Sequence, residues 1–402
     1  MKLGIITLVS DNYGNKYQNY AVEQLLSEYG EVVTYQVESK NQITLQQRKS
    51  FIQKLTHVKI AKSIAARLMN RYDLKNAQRS ALGNLAYFLC NKKKIIETRE
   101  FRHRNFLNYQ QQYLHISDRV ITAENCREEP WNQSHDYFVC GSDQIWNPNY
   151  STTTELAFLS FAKGKRIALA PSFGISAIPE DRKENFRNWI NGITHLSVRE
   201  DAGRQIIKDL TGKDAEVLLD PTMAIDPSCW ADLAKAPKKK LPENYILTYF
   251  LGRVSHKYYN RICQISKETG LPVINLFNVE EPEYYTYDPN EVLYAIQNAS
   301  LVLTDSFHGS VFSILFHKDF WVFSRDEDGM SMHSRLTTLL QKFGLTDRLI
   351  NDTSALTPVP QTTWEHISYV LAQEQEKTKV YLKNAIAGDI PRKIIKTKEP
   401  KL

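Results

Sequence analysis

The 402-residue chain has no uninterrupted apolar run approaching the ~18 residues a bilayer-spanning helix needs, so no segment reads as transmembrane. Its opening apolar stretch, Leu3 to Val9, is short, follows a single lysine and leads into a polar Asn/Gly loop instead of a small-residue cleavage site. It reads as a buried first strand. Cysteine is scarce: the five present, Cys90, Cys126, Cys140, Cys229 and Cys263, are odd in number and form no CxxC pair. That excludes a disulfide framework and points to a reducing cytoplasm. No Cys/His/Asp spacing matches a metal site, so neither metal nor cofactor is expected. Internal repeats and low-complexity tracts are missing too, which removes the solenoid and linker classes.

What is present fits a soluble α/β chain. Apolar residues make up 42% and charged residues 24%, and the length implies two domains. The net charge of +6 is unevenly spread: residues 48 to 104 carry fifteen Lys/Arg against Asp73, Glu97 and Glu100. Two readings fit: a local contact with an anionic surface, for which the inner face of the plasma membrane is the expected partner, or a positively charged solvated face on an ordinary helical hairpin. No nucleic-acid module accompanies the charge, so nucleic acid is not expected. A smaller basic cluster, Arg392, Lys393, Lys396, Lys398 and Lys401, closes the chain.

Short apolar runs alternate with helical spacing. Strands are predicted at residues 3–9, 31–37, 136–140, 166–172 and 194–200, with a further one leaving the first domain near Met223. Helical spacing over about 43–110, with Phe51, Leu55, Val58, Ala65 and Met69 on one face, predicts a helical insertion. A second set of strands is expected at YILTYFLG, PVINLF, SLVLTDS and DFWVFS, with intervening helices. Such alternation implies parallel sheets covered on both faces. The expected architecture is two doubly wound, Rossmann-like domains facing a cleft, with a likeness to the glycosyltransferase-B arrangement. The expected domains are 1–222, on the acceptor side, 223–361, holding the donor, and 362–402, a helix returning to the first domain plus the basic tail.

Four places carry candidate chemistry. In SLVLTDSFHGSVFSILF a strand feeds a helix through Ser306, His308 and Gly309, an arrangement whose free N–H groups and dipole bind anions. Helix capping by Asp305 and Ser306 explains the same residues without chemistry. Lys318 follows ten residues later, and SMHSR adds Ser334 and Arg335 as further donor ligands. In FVCGSDQIWNP, Asp143 ends a strand where a carboxylate can bind a sugar hydroxyl or act as a base, whereas Trp146 reads as a core plug. Arg199 and Glu200 sit at another strand-to-helix switch, where an Arg either pairs with an anionic ligand or bridges the domains. Asn12, Gly14, Asn15 and Gln18 offer amide side chains for sugar recognition on the loop after the first strand.

Taken together, NYGNKYQNYA, GSDQIWNP, APSFG, SVRE, LDPTM and TDSFHGSVFSILF resemble, in order and spacing over about residues 3 to 349, the polysaccharide pyruvyl transferases. The resemblance implies a transfer of pyruvate from phosphoenolpyruvate to a sugar of a bacterial surface glycan, or to its lipid-linked oligosaccharide precursor, as a ketal. It implies His308 as general acid or base, Arg199 and Lys318 as ligands of the donor, and Asp143 with the Asn12 to Gln18 loop facing the acceptor. Two positions depart from the pattern: Asp319 follows Lys318 where proline is usual, and His333 precedes Ser334 and Arg335 where asparagine is usual. The residues leave two other classes open. A nucleotide-sugar glycosyltransferase shares the architecture, although no acid lies between Gly309 and Asp319 to hold a ribose. A non-catalytic binding protein on the same scaffold would show the same folds and turns.

Overall fold

The computed structural model describes residues 1–38, 79–128, 134–252, 254–324, 331–350 and 356–387. The first half holds β1 (Lys2–Ile6), α1 (Tyr13–Ser27), β2 (Glu31–Val37), α2 (Ala81–Tyr113), β3 (Ile116–Ile121), β4 (Tyr137–Cys140) and β5 (Lys165–Ala168). It continues through α3 (Lys183–Asn191), β6 (Ser197–Val198), α4 (Asp201–Thr211) and β7 (Glu216–Val217). The chain then crosses α5 (Pro221–Ala224) and α6 (Ser228–Leu233). In the second half come β8 (Ile246–Tyr249), α7 (His256–Thr269), β9 (Val273–Asn275), α8 (Pro282–Tyr285), α9 (Pro289–Gln297), β10 (Leu301–Thr304), α10 (Phe307–Leu315), β11 (Phe320–Val322) and α11 (Ser331–Lys342). A last helix, α12 (Gln361–Leu382), follows.

The expected α/β class is present as two parallel sheets, in the orders β3-β2-β1-β4-β5 and β11-β10-β8-β9, with β6 and β7 as a separate pair. On the inner strands alternate side chains enter different cores, which explains why β1, β4, β8 and β10 are largely apolar. Leu3, Ile5 and Val139 of the first sheet share one core with Leu247, Val302, Phe320 and Val322 of the second. Ile6, Phe138, Cys140 and Ala168 face a second core, and Ile246, Leu301, Leu303 and Trp321 a third. Each sheet is therefore covered on both faces, and one core runs continuously between the halves.

Polar ties reinforce that continuity. Tyr13 and Tyr17, one turn apart on α1, donate to the carbonyls of Tyr287 and Pro289, each at 2.7 Å. From α2, Arg102 reaches the Tyr285 carbonyl at 3.1 Å and Asn105 the Thr286 carbonyl at 2.7 Å. Helix α12 crosses in the other direction: Gln375 donates to the Met223 and Ile225 carbonyls, and Tyr381 to that of Ala168 at 2.8 Å.

Two differences from the sequence reading concern the first half. Strand β3 was not expected, because ISDRVI places polar side chains along a partly exposed edge and forms no apolar run. Within the expected insertion, the described part is one 33-residue helix, α2, whose buried face carries Phe88, Ile95, Thr98, Arg102, Phe106 and Tyr109. The apolar face named from Phe51 to Met69 and the basic C-terminal cluster lie outside the described residues.

Trp146 is fully buried, stacks on Phe158 at a centroid distance of 4.7 Å and donates its indole N–H to the Ala157 carbonyl at 3.2 Å. Trp146→Ala is expected to lower unfolding stability by about 3–5 kcal/mol through the cavity it leaves. Urea titration followed by circular dichroism reads this directly.

Candidate functional site

The carboxyl ends of the strands of both sheets converge on one buried cluster. The first turn of α1 supplies Asn15, the turn after β4 supplies Asp143, the end of β6 supplies Arg199, and the N-cap of α5 supplies Asp220. From the second half, the start of α10 brings His308 and α11 brings Arg335. Parallel strands place these loops on the same edge, which is why residues far apart in sequence meet.

Arg199 is the centre of the cluster. Its Nη2 lies 3.1 Å from Asp143 Oδ1, and its Nη1 donates to Asp220 Oδ2. Asp220 spends its other oxygen on the Thr222 N–H at 3.0 Å and the Thr222 hydroxyl at 2.6 Å. Asp143 also accepts from Asn15 Nδ2 at 2.5 Å and lies 3.6 Å from Arg335 Nη1. Both guanidiniums lie over the Phe307 ring, with centroid distances of 4.4 and 5.9 Å. Burial opposes ionisation of Asp143 and Asp220, but Arg199 and its neighbours outweigh it and hold both carboxyls below their ordinary range. Burial and Arg199 together pull Arg335 down to about 10, so at neutral pH it keeps its charge.

His308 is 6% exposed and wedged against the first turn of α1: a Cβ added at Gly14 would collide with its ring. Its Nε2 lies 3.9 Å from Asp220 Oδ2 and has no hydrogen-bond partner among the described residues. Burial lowers its pKa; Asp220 and Asp143 pull the other way, and Arg199 and Arg335 add to the lowering. The imidazole is biased to its neutral form.

The remaining candidates divide. Ser306 caps α10 by accepting from the Gly309 N–H at 3.3 Å, and Gly309 packs so closely on Thr304 that a Cβ there would collide with it. Both shape the helix start; neither presents a free group to a ligand. Asp305 does not cap; it accepts from the N–H groups of Leu251 and Gly252 at 2.6 and 2.7 Å. Gln18 is a correction: its amide is fully buried and committed to Thr7 Oγ1 at 2.7 Å and the Ser142 N–H at 2.8 Å, so it braces the Asp143 turn and faces no acceptor. Asn12 caps α1.

Lys318 is the second correction. It precedes β11, whose Phe320 pairs with Val302, so it lies at the amino edge of the sheet, whereas His308 lies at the carboxyl edge. The nine residues of α10 separate the two by about 13 Å along the helix axis. Arg335 lies in the cluster beside Asp143. The Ser334 side chain lies outside the described residues. Asp220 is missed by the sequence reading, which takes its segment as a strand leaving the first domain; in the structure Asp220 instead caps α5, whose first turn holds Pro221.

Asn12, Asn15, Asp143, Ser10, Tyr150 and Thr152 line a cavity of about 490 Å³ beside the cluster. A larger cavity of about 810 Å³, bounded by His195, Arg204, Thr338, Lys342 and Tyr381, contains none of the candidate residues. The smaller cavity adjoins the chemistry.

A family model described as polysaccharide pyruvyl transferase matches residues 12–327. The chain belongs to the polysaccharide pyruvyl transferase family. No match was found among curated proteins. Similar solved structures include the UDP-GlcNAc 2-epimerase of Neisseria meningitidis bound to UDP-GlcNAc, at 10% identity and a TM-score of 0.41, covering 96% of this chain and 94% of that one. Another is the ADP-heptose LPS heptosyltransferase II of E. coli, at 11% identity and a TM-score of 0.36, covering 93% and 100%. The matched segment of the pyruvyl transferase model contains Asn15, Asp143, Arg199, Asp220 and His308, whereas Arg335 lies beyond its end.

The burial of His308 makes its titration a stability term. Its folded pKa is depressed, so below the unfolded value of about 6.5 the unfolded chain binds more protons and stability falls. Asp143 and Asp220, also depressed, remove stability only as pH drops below about 3.9. His308→Ala is therefore expected to shrink the loss of urea midpoint between about pH 7.5 and about pH 5.5, on either side of the free imidazole pKa, and to leave the loss below pH ~4 in place.

Proposed function

We propose that this enzyme takes phosphoenolpyruvate as donor and places its pyruvate, as a ketal, on two hydroxyls of a sugar in a bacterial surface glycan or its lipid-linked precursor. It would do so on the cytoplasmic side, releasing phosphate. The observation that carries the reading, beside family membership, is His308: a buried imidazole with an unsatisfied Nε2 at the start of a helix, beside an Asp/Arg cluster whose Asp143 lines a polar cavity.

The chemistry uses these groups in sequence. A protonated His308 gives its proton to the terminal methylene of the enol, which becomes a methyl group and leaves an oxocarbenium-like carbon. One sugar hydroxyl attacks that carbon and returns its proton to His308. The second hydroxyl attacks as the C–O bond to phosphate breaks, and its proton departs with the phosphate. Burial lowers the His308 pKa, and the negative charge of a donor beside it would raise that pKa and so favour the protonated acid. The amino end of α10 and Arg335 offer N–H groups and charge to the donor anion. Asp143, held ionised by its guanidiniums, is a poor base and a good hydrogen-bond acceptor for a sugar hydroxyl at the cavity wall.

His308→Ala is expected to cut turnover at least ~100-fold with little change in donor KM, the usual scale for losing a general acid. The assay is mass spectrometry of lipid-linked glycans incubated with phosphoenolpyruvate, read as a gain of pyruvate less water, with phosphate release in parallel. Turnover retained above a tenth of wild type removes the acid role. Arg335→Ala should raise donor KM tenfold or more, the effect of losing a contact of about 1.5–3 kcal/mol, while Lys318→Ala should leave it within twofold.

Asp220→Asn tests the electrostatics. Removing the carboxylate that raises the His308 pKa should move the alkaline limb of the kcat/KM profile to lower pH, because the acid then deprotonates earlier. A uniform drop with an unmoved limb would make Asp220 a purely structural brace.

A further inference from the structure

Helix α2 turns two faces in opposite directions. Its buried face ties to the second half through Arg102, Asn105 and Tyr113, the last accepting from Asn290 Nδ2 at 2.9 Å. The other face is solvent-facing yet apolar in part. Of the nine large hydrophobic side chains exposed among the described residues, four lie here: Leu82, Leu89, Phe101 and Leu107, between 37% and 70% exposed. That concentration on one element needs a reason, since scattered exposed apolar residues are ordinary and an aligned set is not.

Three of the four are aligned: at 100° per residue Leu82, Leu89 and Leu107 fall within about 20° of one another around the axis, with Lys93 about 20° to the other side of Leu82 and Phe101 about 100° round, along a helix about 50 Å long. Exposed cations interleave with them: Lys92, Lys93, Lys94 and Arg104, against Glu97 and Glu100. The sequence just ahead, residues 48 to 79, adds nine Lys/Arg and the single acid Asp73. Leucines between lysines suit a surface with an apolar interior and an anionic skin, which is a bilayer carrying acidic headgroups. A nucleic acid would be met by cations with stacking or hydrogen-bonding side chains instead of leucines. A second copy of the chain would bring the same cations against one another.

The helix also borders the site. His103 Nδ1 lies 2.5 Å from Asp11 Oδ2, and Asp11 sits between Ser10 and Asn12 on the wall of the 490 Å³ cavity. Lys16 of α1 donates to Gln110 of α2 at 2.7 Å. Whatever α2 rests on therefore lies close to the mouth of that cavity. No described helix is long and apolar enough to cross a membrane, so the contact is peripheral.

We propose that the outward face of α2 docks this enzyme on an anionic bilayer and thereby presents the Asn12–Asp143 cavity to a lipid-linked acceptor. The docking stands on the exposed face alone; the acceptor part rests on the pyruvyl transfer reading. The test is flotation of the full chain with phosphatidylglycerol vesicles and with phosphatidylcholine vesicles, at ionic strengths of about 0.01 and 0.15 M, where charges are screened beyond ~30 and ~8 Å. Binding to the acidic vesicles at low ionic strength, weakened by salt, is expected. A variant carrying Lys92→Gln, Lys93→Gln and Lys94→Gln should bind at least tenfold more weakly, as should one carrying Leu82→Ser and Leu89→Ser. Both should keep wild-type turnover on a water-soluble acceptor.

Several results would overturn the docking: no flotation on acidic vesicles at low ionic strength, equal flotation on phosphatidylcholine, or unaltered binding by both variants. So would a wild-type dimer that the leucine changes dissociate, because the face would then be a self-association surface, or release from acidic vesicles by single-stranded DNA at equal charge. A chain that floats but never forms the ketal would leave the docking standing and remove the pyruvyl transfer reading.

Discussion

The placement of every chemical group in this enzyme depends on one buried guanidinium. Arg199, 2% exposed at its side chain, bridges Asp143 at the end of β4 and Asp220 at the start of α5. Stripping three charges of water costs more than their mutual attraction reliably returns, so the bridge is weak evidence of stability. It is strong evidence of register, because an uncompensated partner would cost about 3–5 kcal/mol. Any slippage of the β4 turn, the end of β6 or the crossing segment leaves one charge buried alone. Asn15 and Arg335 then follow Asp143, and the His308 ring is set against Asp220 by the close approach that Gly14 permits.

Much of the architecture was legible because parallel strands buried on both faces are short apolar runs ending in polar turns. The strands at Glu31–Val37, Tyr137–Cys140 and Leu301–Thr304 carry that mark, and β3 does not, since half its side chains face water at an edge. The site was legible wherever a strand end feeds a helix start: Asp143, Arg199 and His308 all fit that rule. It failed for Lys318 because proximity in sequence to His308 hides a helix that carries the chain back across the sheet. For Gln18 it failed because a polar side chain after a strand looks alike whether it meets a ligand or braces a neighbouring turn. Asp220 was missed because its segment reads as a strand leaving the first domain, whereas it caps α5 with one oxygen and meets Arg199 with the other.

The two halves are fastened together independently of the cluster. Tyr13 and Tyr17 donate across from α1, Arg102 and Asn105 from α2, and Gln375 and Tyr381 return from α12. All but Gln375 and Asn105 are buried, and the tyrosine hydroxyls end on backbone carbonyls that would otherwise be desolvated without a donor. The NYGNKYQNYA segment therefore combines two tasks on one helix: its tyrosines hold the second half, while Asn12 and Asn15 look into the cavity. Helical geometry separates these tasks, since tyrosines four apart share one face and the amides at the helix start project past its end.

Charge balance decides how a donor anion can be accommodated. Around His308 the guanidiniums of Arg199 and Arg335 face the carboxylates of Asp143, Asp220 and the buried Glu200, so no net positive field awaits the ligand. Glu200 and Asp220 are not available to move: the first accepts from Ser172 and Phe173 at 2.9 and 3.0 Å, the second from Thr222 and Arg199. Asp143 is different, because it alone among the three reaches the cavity. An anion beside Arg335 competes with Asp143 for that guanidinium, and the displaced carboxylate has only Asn15, Arg199 and the cavity to turn to. In the pyruvyl transfer reading, a donor beside Arg335 would loosen one contact on Asp143 Oδ1, which keeps Arg199 while Asn15 stays on Oδ2, and its negative charge would raise the proton affinity of His308. A site without spare positive charge can couple the two substrates in this way, whereas a permanently cationic pocket would hold the donor without signalling its presence.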